Sequence, residues 1–234
     1  MKIAVLGTGV MGASLARFFI RTSHSVVLAS REVRKAELLA AALQRSGDAC
    51  PSAEAAPIEK AVRLSDLAVI ATRWENTRDA LERAGPFEGR VLIDATNPET
   101  VNGRGLAIGH TSSGAEEIAR LAPDARVVKA FNHSYAELLD RGPDFERGSA
   151  SVLFCGDDPA AKATVAGLIS AGGFHPVDAG PLASARYLEP LALLFVELVR
   201  GQNRGPSEIA LSILTREQER NGMPPVTRPA TPSV

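Results

Sequence analysis

The sequence has few of the features that mark secreted, metal-binding or membrane proteins. Its two cysteines, Cys50 and Cys155, lie far apart and have no metal-ligand spacing, so it predicts neither a disulfide framework nor a metal site. The longest apolar stretch, residues 191–199, is too short to cross a bilayer. The chain starts with a strand-like segment and without a signal peptide. These absences predict a cytoplasmic protein with no membrane partner.

An excess of charge of either sign is also missing. The 26 lysines and arginines nearly balance the 27 aspartates and glutamates, which leaves a net charge of −1. Nucleic acids attract proteins with a basic excess, so no nucleic-acid partner is predicted. With 45% hydrophobic residues, the 234-residue chain can bury one sizeable α/β core and has some length left for a small appendage.

Short apolar segments alternate with helix-like segments over most of the chain. Strands are predicted at 2–6, 26–30, 66–72, 90–95, 126–131, 151–155 and 174–177. The segments between them have helical character, so residues 1–178 are expected to form a doubly wound parallel sheet with helices on both faces. Residues 182–200 and 207–220 predict a small helical region over 179–220. Four prolines in 221–234 predict a tail without regular structure.

A complete G-x-G-x-x-G turn joins the first predicted strand to the first helix. It consists of Gly7, Thr8, Gly9, Val10, Met11 and Gly12. In this context Gly7 permits a tight turn, Gly9 lets a pyrophosphate approach the backbone, and Gly12 lets the helix pack on the strand. The helix start then offers free N–H groups to the anion. The turn predicts a dinucleotide-binding Rossmann domain, the alternative being a glycine turn that binds nothing.

The end of the second strand indicates which dinucleotide binds. NAD-specific members of this fold place an acidic residue there to bind the ribose hydroxyls. Here the position holds Ser30, followed by Arg31, with Arg34 and Lys35 one turn later. A hydroxyl and several cations suit a 2′-phosphate, so the predicted cofactor is NADP(H). Glu32 adds one opposing charge, and Arg34 and Lys35 also fit a solvated helix face.

Polar side chains follow three further predicted strands. Because ligands of doubly wound sheets bind beyond the carboxyl ends of the strands, these side chains are expected to converge near the nicotinamide. Thr72 and Arg73 are predicted to contact the cofactor. Asn97 and Asn132 are candidates to bond the carboxamide or the hydride acceptor, and His133 is a candidate proton donor or acceptor. Each also fits an ordinary role in a turn or in the core.

The order of motifs resembles that of the NADP oxidoreductases that use the deazaflavin coenzyme F420. The matching segments are KIAVLGTGVMG, VVLASREVRKAE, LIDATNP, ARVVKAFNH, CGDD and VDAGPLASARYLEPLA, which together run from residue 1 to about residue 200. Two departures are Arg73, where the family often has proline, and the region beyond Arg200.

The resemblance implies a Rossmann domain with a small helical part, and hydride exchange between NADP(H) and a deazaflavin stacked on the nicotinamide. It implies NADP contacts from Thr8, Ser30, Arg31 and either Lys35 or Arg34. It also places the deazaflavin between the strand ends and residues 180–189, and implies a homodimer formed through the C-terminal helices. The nearly all-apolar segment 188–199 independently predicts a buried interface.

Three functions remain open from the sequence. The first is hydride transfer between NADPH and a deazaflavin or flavin-like small-molecule acceptor. The second is reduction of a small imine or carbonyl, which needs a proton donor such as His133 or Tyr135. The third is a non-catalytic NADP(H) sensor that binds the cofactor without turnover.

Overall fold

The computed structural model describes residues 1–45, 52–103, 105–146 and 148–214. Its strands are β1 Lys2–Leu6, β2 Ser25–Ala29, β3 Ala53–Ala55, β4 Leu67–Ile70, β5 Val91–Asp94, β6 Arg126–Ala130, β7 Asp144–Phe145, β8 Gly148–Ser149, β9 Ser151–Gly156 and β10 His175–Asp178. Its helices are α1 Val10–Arg21, α2 Val33–Arg45, α3 Ile58–Arg63, α4 Thr77–Ala84, α5 Gly114–Leu121, α6 Ala136–Arg141, α7 Pro159–Ala171 and α8 Ala185–Gln202. Two short 3-10 helices, Trp74–Asn76 and Leu182–Ser184, precede α4 and α8.

Eight strands form the main sheet in the order β10-β9-β6-β5-β4-β1-β2-β3. The central strands are buried on both faces, as their unbroken apolar runs predict. The α/β fold with helices on both sides of the sheet is confirmed. The side chains on the two faces form two separate apolar clusters, one of which contains the packed rings of Phe18, Phe19, Phe131 and Phe174.

The sheet is mostly rather than entirely parallel, which corrects the sequence-based prediction. Strand β9 runs antiparallel to β6, with Ala130 opposite Phe154. A parallel connection needs a crossover that returns the chain to the opposite edge of the sheet. Helix α6 has only six residues and packs on α1, so the chain stays at the carboxyl edge of β6 and enters β9 from there.

The C-terminal region follows the prediction only in its first part. The helix predicted at 182–200 is present as the second 3-10 helix and α8. The helix predicted at 207–220 is wrong for residues 207–214, which run without regular structure beside the start of β9. There the Leu211 carbonyl accepts from Ser151 N at 2.7 Å, and Ile213 N donates to Ser151 Oγ at 3.0 Å. These tertiary hydrogen bonds replace helical ones and override local propensity.

Some sequence predictions lie outside the described residues, namely those for Cys50, for 215–220 and for the tail 221–234. Cys155 is a buried free thiol as predicted, and burial raises its pKa to about 12. No helix in the described ranges has the length and apolar character needed to span a lipid bilayer.

Candidate active site

Each of the three glycines in the turn between β1 and α1 has its own structural reason. A Cβ on Gly7, whose φ is +126°, would lie 2.4 Å from the Ala71 carbonyl oxygen. A Cβ on Gly12 would lie 2.1 Å from the Gly7 oxygen. A Cβ on Gly9 would meet no atom within 4 Å among the described residues. Packing within the chain therefore requires Gly7 and Gly12, whereas Gly9 keeps open a space beside the start of α1.

That open space is part of a cleft of about 640 Å³. No described side chain caps α1, so its first-turn N–H groups are free to bind an anion. Ten of the predicted cofactor residues line the cleft, and they are Gly7, Thr8, Gly9, Val10, Met11, Ser30, Arg31, Lys35, Thr72 and Arg73. The shape and the free N–H groups fit a dinucleotide pyrophosphate.

Three predicted cofactor residues do not line this cleft. Gly12 is buried beneath it, Arg34 is exposed on α2 outside it, and Asn97 faces a second cavity. Conversely, Ile58 and Ala80 form an apolar wall of the cleft that the sequence did not indicate. These two residues belong to α3 and α4, which approach the cleft only through tertiary packing.

The polar end of the cleft lies after β2. Ser30 Oγ donates to the Glu32 carbonyl at 2.6 Å, and Lys35 Nζ pairs with Glu32 Oε1 at 2.6 Å. Arg31 lines the cleft and has no hydrogen-bond or ion-pair partner among the described residues. The Arg31 guanidinium at this end of the cleft is therefore available to bind an anion.

A second pocket of about 260 Å³ adjoins the cleft. Val10 and Met11 line both cavities. The second pocket brings together Asn97, Asn132 and His133, as the convergence of strand ends predicts. It also contains residues that the sequence did not single out for this site, namely Glu99, Ser134, Ala136, Glu137, Ala192, Phe195 and Val196.

The two asparagines hold each other in place. Asn97 Nδ2 donates to the Asn132 carbonyl at 2.8 Å, and Asn132 Nδ2 donates to Asn97 Oδ1 at 2.9 Å and to the Leu188 carbonyl at 2.9 Å. A backbone carbonyl can only accept, so the Leu188 contact fixes the orientation of the Asn132 amide. The strand ends of β5 and β6 and helix α8 therefore meet at one hydrogen-bonded point.

His133 is 6% exposed, and its Nε2 accepts from Leu153 N at 3.0 Å. Burial lowers the pKa of its imidazole to about 4. The ring is therefore neutral at pH 7, and its Nε2 lone pair is occupied by the β9 backbone. This geometry suits a wall of the pocket, and the catalytic role predicted from the sequence remains a prediction.

A buried cluster of charges lies directly behind the asparagines. Lys129 Nζ contacts Asp94 Oδ2 at 2.8 Å, Glu189 Oε1 at 2.8 Å and the Thr96 carbonyl at 2.6 Å, and all three charged side chains are at most 1% exposed. Burial opposes the charge on Lys129, but the two carboxylates outweigh it and raise its pKa above the usual value. Glu189 also accepts from Gly114 N at 2.9 Å, at the start of α5.

Sequence reasoning missed this charged cluster. The available signal was Lys129 within the buried residues 127–130 of β6, which are otherwise apolar, because a buried cation needs partners. The cluster joins β5, β6, α5 and α8, and it fixes the Thr96 backbone next to Asn97. The buried charged cluster therefore holds the backbone next to the pocket residue Asn97 in place.

Helix α8 contributes one wall of the second pocket, while the position of a deazaflavin beside residues 180–189 stays a prediction. Ala192, Phe195 and Val196 line the second pocket, whereas no residue of 180–189 does. The reason is the antiparallel β9, which brings Gly180 beside Gly156, at the end of β9 away from the pocket. Helix α8 then crosses back and reaches the pocket only after Glu189.

Comparison with known proteins shows which family the chain belongs to. Residues 2–98 match the family described as NADP oxidoreductase, coenzyme F420-dependent. The F420-dependent NADP reductase of Methanothermobacter thermautotrophicus is 30% identical over 209 residues, which cover 85% of this chain and 89% of that protein. The chain belongs to the F420-dependent NADP oxidoreductase family. The resemblance inferred from the motifs is confirmed.

Two further relatives extend the comparison. A crystal structure of a candidate F420-dependent NADP-reductase from Arthrobacter sp. FB24 has a TM-score of 0.75 and 32% identity, and covers 87% of this chain and 96% of that one. Metalloreductase STEAP3 of Rattus norvegicus is 36% identical over 195 residues, which cover 82% of this chain and 37% of that protein. The chain spans about two fifths of the length of the curated metalloreductases it matches.

The position of Arg31 predicts how the chain distinguishes NADPH from NADH. Replacing Arg31 with alanine should weaken NADPH binding about ten- to a hundred-fold, because a charge-assisted phosphate contact contributes about 1.5–3 kcal/mol. NADH binding should change little. Isothermal titration with both cofactors measures the effect, and Arg34→Ala, an exposed cation of α2 outside the cleft, is the matched control. Equal losses for NADPH and NADH would contradict the assignment.

Proposed function

We propose that the protein transfers a hydride from NADPH to a deazaflavin, coenzyme F420, or to a flavin-like ring bound in the second pocket. The observation that carries the proposal is the junction of the two cavities at Val10 and Met11. A dinucleotide held along the cleft reaches the second pocket at this junction. NADPH, when bound, supplies the hydride.

The residues of the chain contribute binding and orientation. The glycine turn and the start of α1 bind the pyrophosphate, and Arg31 with Ser30 faces the 2′-phosphate. Asn97 and Asn132 form one wall of the pocket, and Phe195 and Val196 form the other. The two walls hold the acceptor ring close to the cofactor, and hydride transfer between rings needs an approach of about 3–3.5 Å.

In this mechanism no side chain has to ionise during the transfer, because a ring nitrogen of the reduced acceptor takes its proton from water. The predicted rate loss for His133→Ala is therefore modest, and a rate profile without a step near pH 6.5 is expected, since the folded pKa of this histidine is about 4. Stopped-flow measurement of NADPH oxidation tests this, with His133→Gln as the control that keeps an acceptor for Leu153 N. A loss of about 10²–10⁴-fold with intact NADPH binding would instead indicate a general acid.

A second candidate function is reduction of a small imine or carbonyl. Tyr135 favours it, because the residue lines the second pocket and its phenol is protonated at neutral pH, so it can act as a donor; burial raises its pKa further. Under this function Tyr135→Phe should abolish most of the turnover. Under deazaflavin or flavin reduction it should leave most of the turnover intact.

The proposed function is tested by anaerobic mixing of the protein and NADPH with a panel of acceptors while the nicotinamide absorbance is followed. The panel contains coenzyme F420, riboflavin, FMN, a cyclic imine and a small ketone. Oxidation of NADPH by the deazaflavin or the flavins supports the proposal, and oxidation by the imine or ketone alone supports the second candidate. Tight NADPH binding without any turnover supports a sensor.

We also propose that the protein forms a homodimer through α8. Leu194 and Tyr187 lie about two turns apart on this helix and are 54% and 76% exposed, so both are accessible to a second copy of the chain. Light scattering at micromolar concentration is expected to give twice the chain mass. A monomer mass would refute the proposal.

A further inference from the structure

Glu32 is the only acidic residue among the described residues that line the dinucleotide cleft. Three cations, Arg31, Lys35 and Arg73, line the same cleft, in agreement with an anionic ligand. Glu32 lies with Arg31 and Lys35 at the polar end of the cleft, after β2. A carboxylate at this end opposes the charge of a phosphate that binds there, so Glu32 affects how strongly the cleft holds its ligand.

Glu32 engages two of the groups that could donate a hydrogen bond to a phosphate at this end. Lys35 Nζ contacts Glu32 Oε1 at 2.6 Å, and Ser30 Oγ donates to the Glu32 carbonyl at 2.6 Å. The Arg31 guanidinium has no hydrogen-bond or ion-pair partner among the described residues. An incoming phosphate therefore meets one available guanidinium and one ammonium that a carboxylate already holds.

The backbone and the side chain of Glu32 have separate contacts. The carbonyl accepts from Ser30 Oγ and, at 2.9 Å, from Lys35 N at the start of α2, so it belongs to the turn that begins this helix. The side chains of Lys35 and Glu32 are 61% and 66% exposed, and an exposed ion pair contributes little to folding. A change of Glu32 to glutamine should therefore preserve the turn and alter only the charge that a ligand meets.

We propose that Glu32 sets the cofactor selectivity of the cleft by weakening the binding of the 2′-phosphate of NADPH. The carboxylate competes with the phosphate for Lys35 and also repels it. NADH carries a hydroxyl in place of this phosphate and meets neither effect. The inference rests on the proposed function, in which Ser30 and Arg31 face the 2′-phosphate. The preference for NADPH over NADH is then smaller than Arg31 and Lys35 alone would give.

The size of the effect follows from the geometry of the ion pair. A phosphate oxygen that contacts Lys35 Nζ at about 2.8 Å lies no more than about 5.5 Å from Glu32 Oε1, because the carboxylate contacts the same ammonium. Both side chains are largely exposed, so the dielectric constant of water applies, and two unit charges about 5.5 Å apart weaken binding about threefold to fourfold. A phosphate with nearly two charges doubles the repulsion energy, so Glu32 should weaken NADPH binding about tenfold at low salt.

Isothermal titration calorimetry of the parent protein and of Glu32→Gln, with NADPH and with NADH, tests the proposal. At about 0.01 M salt, Glu32→Gln should bind NADPH about tenfold more tightly than the parent, while NADH binding should change less than about twofold. At about 1 M salt the Debye length is only about 3 Å, so the gain for NADPH should fall below about twofold. Unchanged or weaker NADPH binding at low salt, or an equal gain for both cofactors, overturns the inference.

Two fragments of the cofactors repeat the comparison without the nicotinamide. Adenosine 2′,5′-bisphosphate and adenosine 5′-monophosphate differ only in the 2′-phosphate. Glu32→Gln should improve binding of the bisphosphate about tenfold at low salt and leave the monophosphate unchanged. A gain for NADPH that is absent for the bisphosphate would mean that Glu32 acts on another part of the cofactor, and would contradict the proposal.

Two further variants separate Glu32 from the general charge of α2. Glu37→Gln removes an exposed carboxylate of this helix that does not line the cleft, and it should leave both affinities unchanged. A double-mutant cycle of Glu32→Gln and Lys35→Met tests the competition for Lys35. Lys35→Met should cost more NADPH affinity in the Glu32→Gln background, where Lys35 is free to bind the phosphate, than in the parent. Equal costs, or a gain from Glu37→Gln as large as that from Glu32→Gln, would refute the role of Glu32.

Cofactor selectivity and turnover fail independently. If Glu32→Gln gains NADPH affinity as expected but neither protein transfers a hydride to any acceptor, the proposed function fails and the inference stands. If the parent reduces the deazaflavin with NADPH but Glu32→Gln binds NADPH no more tightly, the proposed function stands and the inference fails.

Discussion

Lys129→Met is expected to lower the free energy of unfolding by about 3–5 kcal/mol, the cost of leaving buried charges without their partner. Lys129 lies between Asp94 and Glu189, and all three side chains are almost completely removed from water. Methionine fills a similar volume, so the loss comes mainly from the two carboxylates that remain unpaired. Urea denaturation followed by circular dichroism gives the difference.

Lys162→Met is the matched control. Lys162 Nζ also contacts a carboxylate, Asp178, at 2.9 Å, but the partner is 48% exposed. Water replaces the lost contact there, so the change should cost no more than about 1 kcal/mol. Similar costs for Lys129→Met and Lys162→Met would mean that the buried cluster is not the desolvated support inferred from its geometry.

Gly9→Val is expected to abolish NADPH binding, with more than about a hundred-fold loss of affinity, while the melting temperature stays within a few degrees of the parent protein. The φ of Gly9 is −76° and its ψ is −174°, a conformation open to any residue, and its Cβ position is empty. A valine therefore fits the folded chain and fills the space that the pyrophosphate needs. Titration calorimetry and thermal melting measure the two quantities.

Gly12→Val is the matched control, for which a loss of stability is expected. Its Cβ would overlap the Gly7 carbonyl oxygen at 2.1 Å, so this variant should lose stability even without cofactor. If Gly9→Val still binds NADPH normally, the turn does not hold the pyrophosphate. If it unfolds like Gly12→Val, the space beside Gly9 serves the fold rather than the ligand.

The parts of the site that follow directly after strands could be predicted from sequence. The glycine turn, Ser30, Arg31, Asn97 and Asn132 all sit at the carboxyl ends of strands, where local pattern and the general rule for parallel sheets suffice. Apart from Gly12, which is buried beneath the cleft, these residues line the cleft or the second pocket.

The remaining features of the fold and of the site depend on contacts between segments far apart in the chain. The antiparallel direction of β9 follows from the short α6 and its packing on α1, neither of which has a clear local signal. One partner of Lys129, Asp94, lies 35 residues earlier in the chain. The other partner, Glu189, lies in the distant helix α8. The α8 wall of the pocket depends on both features, so the sequence did not single out Ala192, Phe195 and Val196.

In helix α8, the residue that anchors the helix differs from the residues that shape the second pocket. Glu189 ties the helix to the buried charges, while Ala192, Phe195 and Val196, one to two turns later, line the second pocket. None of these three contributes to the dinucleotide cleft. Under the proposed function, the side chains at these positions decide which acceptor fits, while the contacts of Glu189 hold the helix in place. A library randomised at 192, 195 and 196 is a compact route to new reductases on this scaffold.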